Sequence, residues 1–352
     1  MGSINLKHTG SGSAIALSSD GTSLLLDGTA IGGGGADLYA ANESNPTAQP
    51  SSTGSNAIAI GDSAIATGSE SFAFGKSRAS GTESIAASIR SNTTSFGAQG
   101  TNSIAIGKNA KALGGSYGIS IGGWYPTASN TYAVAIGNWS TASANPSIAL
   151  GTSNNASSSK AIAIGNNCSA QAQRSINIGA ESTISSVATA SIIIGNNGKS
   201  DTAGKFVFSN GYFSATGDCQ SGQYILRADT TDASPTDITT DNTSAGLADQ
   251  VVLPNDSCYG FTGTVIAREN SDATNDFAVW EIKGGAVRAA SAATIALGSY
   301  NINKISESTG ATNWSIALSA DTTNGAVAIT VTGEASHNIR WVATVNTTEV
   351  TY

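Results

Sequence analysis

A short motif recurs along the middle of the chain and limits its fold more than any other feature. The motif is an apolar residue, a small residue, a second apolar residue and a glycine, as in Ile58-Ala59-Ile60-Gly61. Further copies begin at Phe72, Ile104, Ile119, Val134, Ile148, Ile162, Ile176 and Ile192, with a degenerate copy at Ile85. Successive glycines are mostly 14 residues apart, and 15 or 16 apart where a loop is longer. A fixed period of this kind indicates a repeat architecture.

Each repeat is long enough for two strands of four or five residues and two tight turns, but too short for a helical hairpin. Alternation along a strand sends the two branched side chains of the motif to one face and the small residue to the other. The glycine that follows favours a turn with positive φ. Because one coil cannot bury its apolar face alone, neighbouring coils must stack. The sequence therefore predicts a parallel β-solenoid of 14-residue coils over residues 55–200.

The repeat Asn/Ser-x-Ile-Ala-Ile-Gly resembles the head repeat of YadA-type trimeric autotransporter adhesins, as at Asn102–Gly107. The heads of that family are parallel β-rolls of three chains side by side, so the resemblance implies a homotrimer. Family members also carry a signal peptide, a coiled-coil stalk and a membrane β-barrel. We expect none of these here, because the first residues lack the basic and apolar regions of a secretory signal and no heptads are evident.

Residues 201–352 differ from the repeats because they lack the 14-residue period and contain longer alternating runs. The predicted strands are residues 223–227, 261–266, 277–282, 314–318, 327–331 and 339–345. Strands of this length, with turns such as Asn324-Gly325, predict an antiparallel β-sandwich of about eight strands. Three segments of this part are similar to the terminal domain of marine-phage fibre proteins, namely 224–227, 320–325 and 338–345. The predicted fold class is therefore all-β and homotrimeric.

The first 54 residues are predicted to form a separate segment. They contain short apolar runs, four consecutive glycines (Gly32 to Gly35) and a polar stretch with Pro46 and Pro50 that is typical of a linker. A block of this size is too small for a large core of its own. We expect residues 1–54 to attach to another virion protein.

Composition excludes several classes of function. Charged residues make up 11% of the chain, its net charge is −8, and residues 201–352 hold seven basic and sixteen acidic residues. The dense Lys/Arg surface of a nucleic-acid-binding protein is absent, and so is an apolar run of about 18 residues that would span a membrane. Three widely spaced cysteines and two histidines offer neither a disulfide framework nor metal-ligand spacing. We expect no nucleic-acid partner, no membrane insertion and no bound cofactor.

Enzymatic activity is not expected. Cleavage of a glycosidic bond requires two carboxyl groups that converge on one groove. The acidic residues of the repeats, Asp62, Glu70, Glu83 and Glu181, are expected at unrelated positions of their coils. A polysaccharide depolymerase is therefore the less favoured alternative.

Aromatic side chains are the candidate glycan contacts. Trp124 and Trp139 each follow a motif glycine by two residues, and Tyr125 lies beside them. Stacked coils would bring the two indole rings about 5 Å apart. Exposed rings would form a platform for sugars, whereas buried rings would fill the longer coils or a contact between chains, which is the favoured interpretation. In the C-terminal part, the candidate sugar contacts are Tyr224, Tyr259, Phe261 and Tyr300. Carboxylates there are candidates to recruit Ca²⁺ to an anionic glycan.

The leading hypothesis is a structural phage fibre of the tail or head, assembled in the host cytoplasm and carried on the virion. The solenoid would be its shaft, and the C-terminal domain would bind a host surface glycan or lipopolysaccharide. Three linked copies of a weak site gain avidity of about 10²–10⁴ without any new contact. One alternative is a fragment of a bacterial trimeric adhesin. Another is that the C-terminal domain only clamps the trimer.

Overall fold

The computed structural model describes residues 49–269 and 275–352, and the backbone of four short strands before them. These four strands, β1 to β4, form an antiparallel sheet in sequence order. They are Ile4–Leu6, Ile15–Ser19, Leu24–Leu26 and Thr29–Ile31. The rest of residues 1–48, and with it most of the expected attachment segment, lies outside the described residues. No helix among the described residues is long and apolar enough to cross a membrane.

Residues 51–210 form a parallel β-solenoid, which confirms the prediction from the repeat. Each coil adds one strand to a long-strand sheet and one two-residue strand to a short-strand sheet. The strands of the long-strand sheet are β6 Ile58–Ile60, β8 Phe72–Phe74, β10 Ile85–Ala87, β12 Ile104–Ile106, β14 Ile119–Ile121, β16 Val134–Asn138, β18 Ser147–Thr152, β20 Ala161–Asn166, β22 Ile176–Ala180, β24 Ile192–Asn196 and β26 Phe206–Asn210. Those of the short-strand sheet are β5 Ser51–Ser52, β7 Ile65–Ala66, β9 Arg78–Ala79, β11 Gly97–Ala98, β13 Lys111–Ala112, β15 Thr127–Ala128, β17 Thr141–Ala142, β19 Asn155–Ala156, β21 Ser169–Ala170, β23 Thr183–Ile184 and β25 Lys199–Ser200.

The interior of the solenoid is built from small residues. The middle residue of each motif points inward, so Ala149 and Ala163 are fully buried and pair across β18 and β20. Buried serines satisfy their own hydroxyls, as where Ser84 Oγ donates to Gly81 O at 2.7 Å. The two branched residues of the motif point outward, and Phe74 and Ile136 are each 39% exposed. The alternation therefore buries the small residue within the coil and leaves the larger apolar pair exposed among the residues that the structure describes.

Two turns join the strands of each coil, and we name them by their order. The first turn leads from the long strand to the short strand and starts with the motif glycine; the second turn leads to the next coil. Gly151 has φ +120°, and a Cβ atom there would lie 2.0 Å from Gly165 O of the next coil. Glycine is thus required where coils approach most closely.

Residues 219–351 form two antiparallel sheets that pack on each other. The strands are β27 Cys219–Thr230, β28 Thr236–Asp237, β29 Val251–Val252, β30 Ser257–Glu269, β31 Phe277–Arg288, β32 Ala296–Glu307, β33 Ser315–Asp321, β34 Ala326–Thr332 and β35 Ile339–Thr351, with short 3-10 helices at Ala292–Thr294 and Thr309–Ala311. One sheet has the order β32-β31-β30-β35-β27, and the other groups β28, β29 and β33 around β34. Their shared core includes Trp280 and Trp314, which lie against Trp341 with ring centroids 5.7 and 6.0 Å away.

The solenoid and the C-terminal sheets are joined by hydrogen bonds. Strand β26 pairs in parallel with β24 and antiparallel with β27. One sixteen-stranded sheet therefore runs from β6 in the first coil to β32 in the C-terminal domain. Beneath the junction, Lys205 Nζ lies 2.6 Å from Glu349 Oε2, and both side chains are buried. The two parts of the chain share one sheet and one buried ion pair.

Candidate functional site

An apolar stripe covers the outer face of the long-strand sheet. It consists of the first and third residues of successive motifs, which lie side by side in register, as Ile148 beside Ile162. Its exposed members include Phe72, Phe74, Ile85, Ile106, Ile136, Ile178, Ile194 and Phe208. Eleven strands spaced about 4.8 Å apart make a stripe about 50 Å long. Monomeric proteins rarely expose apolar surface of this extent, which marks an interaction surface.

The same face of the sheet remains partly apolar in the C-terminal domain. Ile266 on β30 lies between Val342 on β35 and Val279 on β31 in the pairing register. Ile225, one strand further toward the solenoid, is also exposed, as are Ile266 and Val342. The unpartnered apolar surface therefore does not end at the solenoid.

Aromatic rings form an exposed cluster on the first-turn edge of the solenoid. The centroid of the Trp139 ring lies 4.8 Å from that of Tyr125 and 6.4 Å from that of Trp124. Trp124 is 46% exposed and Trp139 is 55% exposed. The rings therefore do not fill the interior of the longer coils, and that part of the packing interpretation is wrong. A contact between chains and a platform for sugars both remain compatible with the exposed rings.

The coil position of these rings also differs from the prediction. Thr127 pairs with Thr141 in the short-strand sheet, so the residue equivalent to Trp139 is Tyr125, not Trp124. The reason is an additional residue in the first turn after Gly122. Tyr125 and Trp139 both have positive φ, at 50° and 58°. Counting from the motif glycine could not reveal that the extra residue precedes the rings.

Two lysines lie against this cluster. Lys108 Nζ lies 3.4 Å from the centroid of the Trp124 ring, and Lys111 Nζ lies 4.9 Å from that of Phe96. Phe96 in turn contacts Tyr125 edge-on, with centroids 6.0 Å apart. A cation over a ring face is attracted by the quadrupole of the ring. We call Phe96, Lys108, Lys111, Trp124, Tyr125 and Trp139 the aromatic–lysine cluster.

A second pair of stacked rings, which was not predicted, lies on the opposite, second-turn edge. Tyr117 and Tyr132 have centroids 5.1 Å apart and an interplanar angle of 3°. Their φ values are 63° and 57°. Both tyrosines precede their motif by two residues, which is the spacing that would have identified the pair.

Tyr224 and Tyr259 do not reach solvent, so the prediction that they contact glycan is wrong. Tyr224 is fully buried and Tyr259 is 2% exposed, both beneath the junction around Glu349. Burial, and then the negative charge of Glu349, raises the pKa of both phenols well above the ordinary value. The Tyr224 hydroxyl lies 3.5 Å from Glu349 Oε1, and Lys205 Nζ lies over both rings. These side chains hold the junction together.

A groove of about 660 Å³ crosses the outer face of the C-terminal sheet instead. The residues that line it are Gly260, Phe261, Thr262, Lys283, Gly284, Ser299, Tyr300, Asn301, Asn346, Thr347 and Thr348. Tyr300 is 49% exposed. A ring beside several amides and hydroxyls suits a sugar, whose hydroxyls both donate and accept hydrogen bonds. No short motif could indicate the groove, because four strands contribute to it.

Three carboxylates of the C-terminal domain are engaged locally. Asp229 pairs with Arg340 at 3.3 Å, and Asp237 accepts a hydrogen bond of 2.6 Å from Thr330. Burial raises the pKa of Asp249, which accepts a hydrogen bond from the Gly246 amide. Among residues 49–269 and 275–352, no three His, Cys, Asp or Glu side chains are grouped so as to hold a metal ion.

Two acidic residues of the solenoid occupy equivalent positions, contrary to the prediction. Glu70 and Glu83 stand at the same place in the second turn of successive coils, with φ 55° and 54°. Each donates its amide to the preceding coil, Glu70 to Ser55 and Glu83 to Ser69. The Glu83 carboxylate accepts a hydrogen bond from Asn102. They lie on an exposed edge and not in a groove.

Comparison with known protein families identifies a known type of repeat in the solenoid. Four segments match the YadA head domain repeat: residues 52–77, 98–123, 128–154 and 145–167. No protein with a curated description matches the chain. The matched segments all lie in the parallel stack of coils, which is thus a YadA-like β-roll in repeat sequence and in architecture.

Proposed function

We propose that the protein is a homotrimeric fibre in which the solenoid is a rigid shaft. The observation that carries this proposal is the apolar stripe on the outer face of the long-strand sheet. At about 25 cal/mol per Å² of apolar surface buried, covering a stripe of that length supplies a large driving force for association. The match of the coils to the YadA head domain repeat favours three chains, the number found in heads of that type.

The fibre is proposed to belong to a phage virion and to attach the particle to its host. The similarity of residues 224–227, 320–325 and 338–345 to marine-phage fibre proteins supports this assignment. Residues 1–54 would dock on another virion protein. The match to an adhesin repeat equally favours a bacterial trimeric adhesin, which is the alternative. Neither function requires catalysis.

Antibody labelling separates these two assignments. A gold-labelled antibody against the full chain is expected to decorate fibres on purified virus particles from the source culture. Decoration of intact bacterial surfaces, with unlabelled particles, would favour the adhesin. The full chain should be used, because cutting at residue 201 separates β26 from its partner β24.

The groove of the C-terminal sheet is the proposed receptor contact. Full-length protein is expected to compete with the particle for host cells, and Tyr300→Ala is expected to weaken that competition about tenfold or more. Tyr212→Ala is the matched control, because Tyr212 is equally exposed but lies outside the groove. Equal competition by the two variants would contradict the proposal that the groove binds the receptor. It would favour a C-terminal domain that only clamps the trimer.

A further inference from the structure

The aromatic–lysine cluster has one ring face that no side chain of its own column covers. Tyr125 stacks on one face of the Trp139 ring. The other face looks toward the next coil, where the equivalent residue is Ser153, with φ 56° and its amide donated to Asn138 O at 2.8 Å. A serine is too small to reach across an indole ring. Trp139 is 55% exposed, and no ring among the described residues of the next coil stacks on its second face.

Hydrogen-bonding groups continue along this edge beyond the open ring. Asn167 follows Ser153 in the same turn position of the next coil, with its amide donated to Thr152 O at 2.8 Å. An apolar ring face with amide and hydroxyl groups beside it is complementary to a pyranose. Sugar C–H groups carry partial positive charge and are attracted to the negative face of an aromatic ring. Sugar hydroxyls pair with amides and hydroxyls.

The charge next to the cluster is positive, and the nearest acidic residue in the same turn position is Glu181, three coils beyond Trp139. Residues 84–180 include five basic residues and no acidic residue, although the whole chain has a net charge of −8. Lys108 and Lys111 lie against the rings themselves. An ammonium group has three donors and favours a carboxylate as its partner. The ligand that fits this edge is a saccharide with carboxylate groups.

We infer that the first-turn edge of the solenoid is a lateral binding site for acidic, carboxylate-bearing polysaccharide. Trp139 supplies the stacking face, and Lys108 supplies a charge for the carboxylate. The site is separate from the groove in the C-terminal domain and does not depend on the assignment to a virion. Single-stranded nucleic acid, the other ligand of basic aromatic surfaces, is less suited here. It needs several separated ring faces and a denser basic groove, whereas these rings cover one another.

The distribution of tryptophans makes the site directly observable. Trp280, Trp314 and Trp341 are buried in the C-terminal core, and Trp124 and Trp139 are the exposed pair. Acrylamide is therefore expected to quench mainly the fluorescence of Trp124 and Trp139 in the full-length protein. Added polygalacturonate is expected to protect them from the quencher, whereas neutral dextran is not. The protection should weaken as salt is raised, because exposed charges are screened.

Variants assign the binding to named residues. Trp139→Asn, which places a residue favoured at positive φ, is expected to lower the affinity for polygalacturonate about tenfold. Lys108→Gln is expected to weaken binding and reduce its salt dependence. Tyr132→Asn is the matched control on the opposite edge, since Tyr132 has the same 55% exposure and a similar φ. It should bind like the unmodified protein.

Four results would overturn the inference. The first is that acrylamide fails to quench Trp124 and Trp139 in the free protein, and the second is that polygalacturonate gives no protection. The third is tighter binding of an oligodeoxythymidine than of polygalacturonate. The fourth is dissociation of the oligomer by Trp139→Asn. The first and last would identify the cluster as a contact between subunits. Circular dichroism of each variant checks that the solenoid is folded.

Discussion

Single glycines in the first turns set how closely the coils stack. Gly151 has positive φ and also faces the backbone of the next coil, whereas Gly75, with φ +65°, has no atom within 4 Å of the place its Cβ would take. A substitution at Gly75 therefore tests the cost of the backbone conformation alone, whereas one at Gly151 adds the cost of a steric clash. A left-handed conformation alone costs about 1–2 kcal/mol for a residue with a Cβ.

We predict that Gly75→Ala lowers the free energy of unfolding by about 1–2 kcal/mol. Gly151→Ala should lower it by clearly more, because two coils must also move apart. Urea unfolding followed by circular dichroism measures both values. Equal losses would show that the short distance between a Cβ at position 151 and Gly165 O does not affect stability.

The buried ion pair between Lys205 and Glu349 is expected to stabilise the junction. Glu349 Oε2 accepts hydrogen bonds from Lys205 Nζ at 2.6 Å and from Gln220 Nε2 at 2.8 Å. Removing one partner leaves a buried charge uncompensated, which costs about 3–5 kcal/mol. Lys205→Met and Glu349→Gln are each expected to destabilise the protein by about that amount. The double variant should recover most of the loss, and a loss equal to the sum of the two would contradict a direct pair.

The sequence could predict which residues share a face but not which face is covered. Alternation places Tyr224 with Leu226 and Tyr259 with Phe261, and it is silent on whether these faces meet a second sheet. The second sheet decides, and it buries both tyrosines. In the same way, the repeat predicts the branched residues on one side of the strand, but only the width of the coil shows that alanine lies inside.

At the scale of the element, the size of inward residues varies along the solenoid. Most motifs have alanine in the middle, but β24 has Ile193, which is fully buried. The coil makes room for it with Gly198, where a Cβ would lie 2.7 Å from Ile193 Cγ2. In the coil of Ala163 the corresponding position is Cys168, which is buried, and burial raises the pKa of its thiol.

This pairing predicts a compensating substitution. Ala163→Ile is expected to lower the free energy of unfolding by about 1–3 kcal/mol, because the added methylenes overpack a full coil. Adding Cys168→Gly should restore part of the loss by creating the space that Gly198 provides. Thermal unfolding of the single and double variants measures the effect. Additive losses would show that the two positions do not share space.

The turn between β26 and β27 depends on one carboxylate. Burial alone would raise the pKa of Asp218, but hydrogen bonds from the amides of Ser214, Ala215 and Phe213 lower it to about 2. A depressed pKa stabilises the fold above the unfolded value of about 3.9. That contribution is lost as the pH falls from about 3.9 toward 2.

Asp218→Asn should therefore lower the melting temperature at pH 7. The difference from the unmodified protein should shrink below about pH 4, where the carboxylate of the unmodified chain begins to lose its advantage. Melting curves between pH 2 and 7 test this. A difference that is constant over this range would mean that the charge of Asp218 does not stabilise the turn.

The elements that the sequence predicted are those with strong alternation. The solenoid strands of the long-strand sheet and β27, β30, β31, β33, β34 and β35 follow apolar runs, whereas β28, β29 and β32 were not predicted. Strand β32 is an exposed edge with Gly298, Asn301 and Asn303, residues that are uncommon in strands. Pairing with β31 holds it in the sheet. The residues of β32 themselves carry no sustained alternating pattern that would indicate this pairing.

At the scale of the whole molecule, one sheet connects the shaft to its C-terminal domain. Its outer face is apolar along the solenoid, and Val342, Ile266 and Val279 form an apolar row across β35, β30 and β31. On β27 the residue next to Val342 is Arg227, and Ile225 lies two residues away from it. In the proposed trimer, three copies of this face would cover one another along the solenoid, whereas the groove on the C-terminal part of the same face would stay open. A boundary drawn from composition could not reveal this continuity, because the change of direction occurs between β26 and β27 within one sheet.

The outer face can be disrupted without disturbing the coil. Ile178→Asp puts a carboxylate on the stripe at β22 and is expected to dissociate the oligomer, because a buried, unpaired charge is costly. Thr183→Asp lies on the short-strand sheet of the same coil and serves as the control. Retention of the oligomer by Ile178→Asp would place the subunit contact elsewhere.

Sedimentation equilibrium of the full chain at micromolar concentration tests whether the protein is a trimer. We predict a single species with three times the 35.0 kDa mass of the chain, unchanged in Thr183→Asp and reduced to one chain in Ile178→Asp. A stable species of 35.0 kDa for the unmodified protein would contradict it, because the apolar stripe would then have no subunit to cover it.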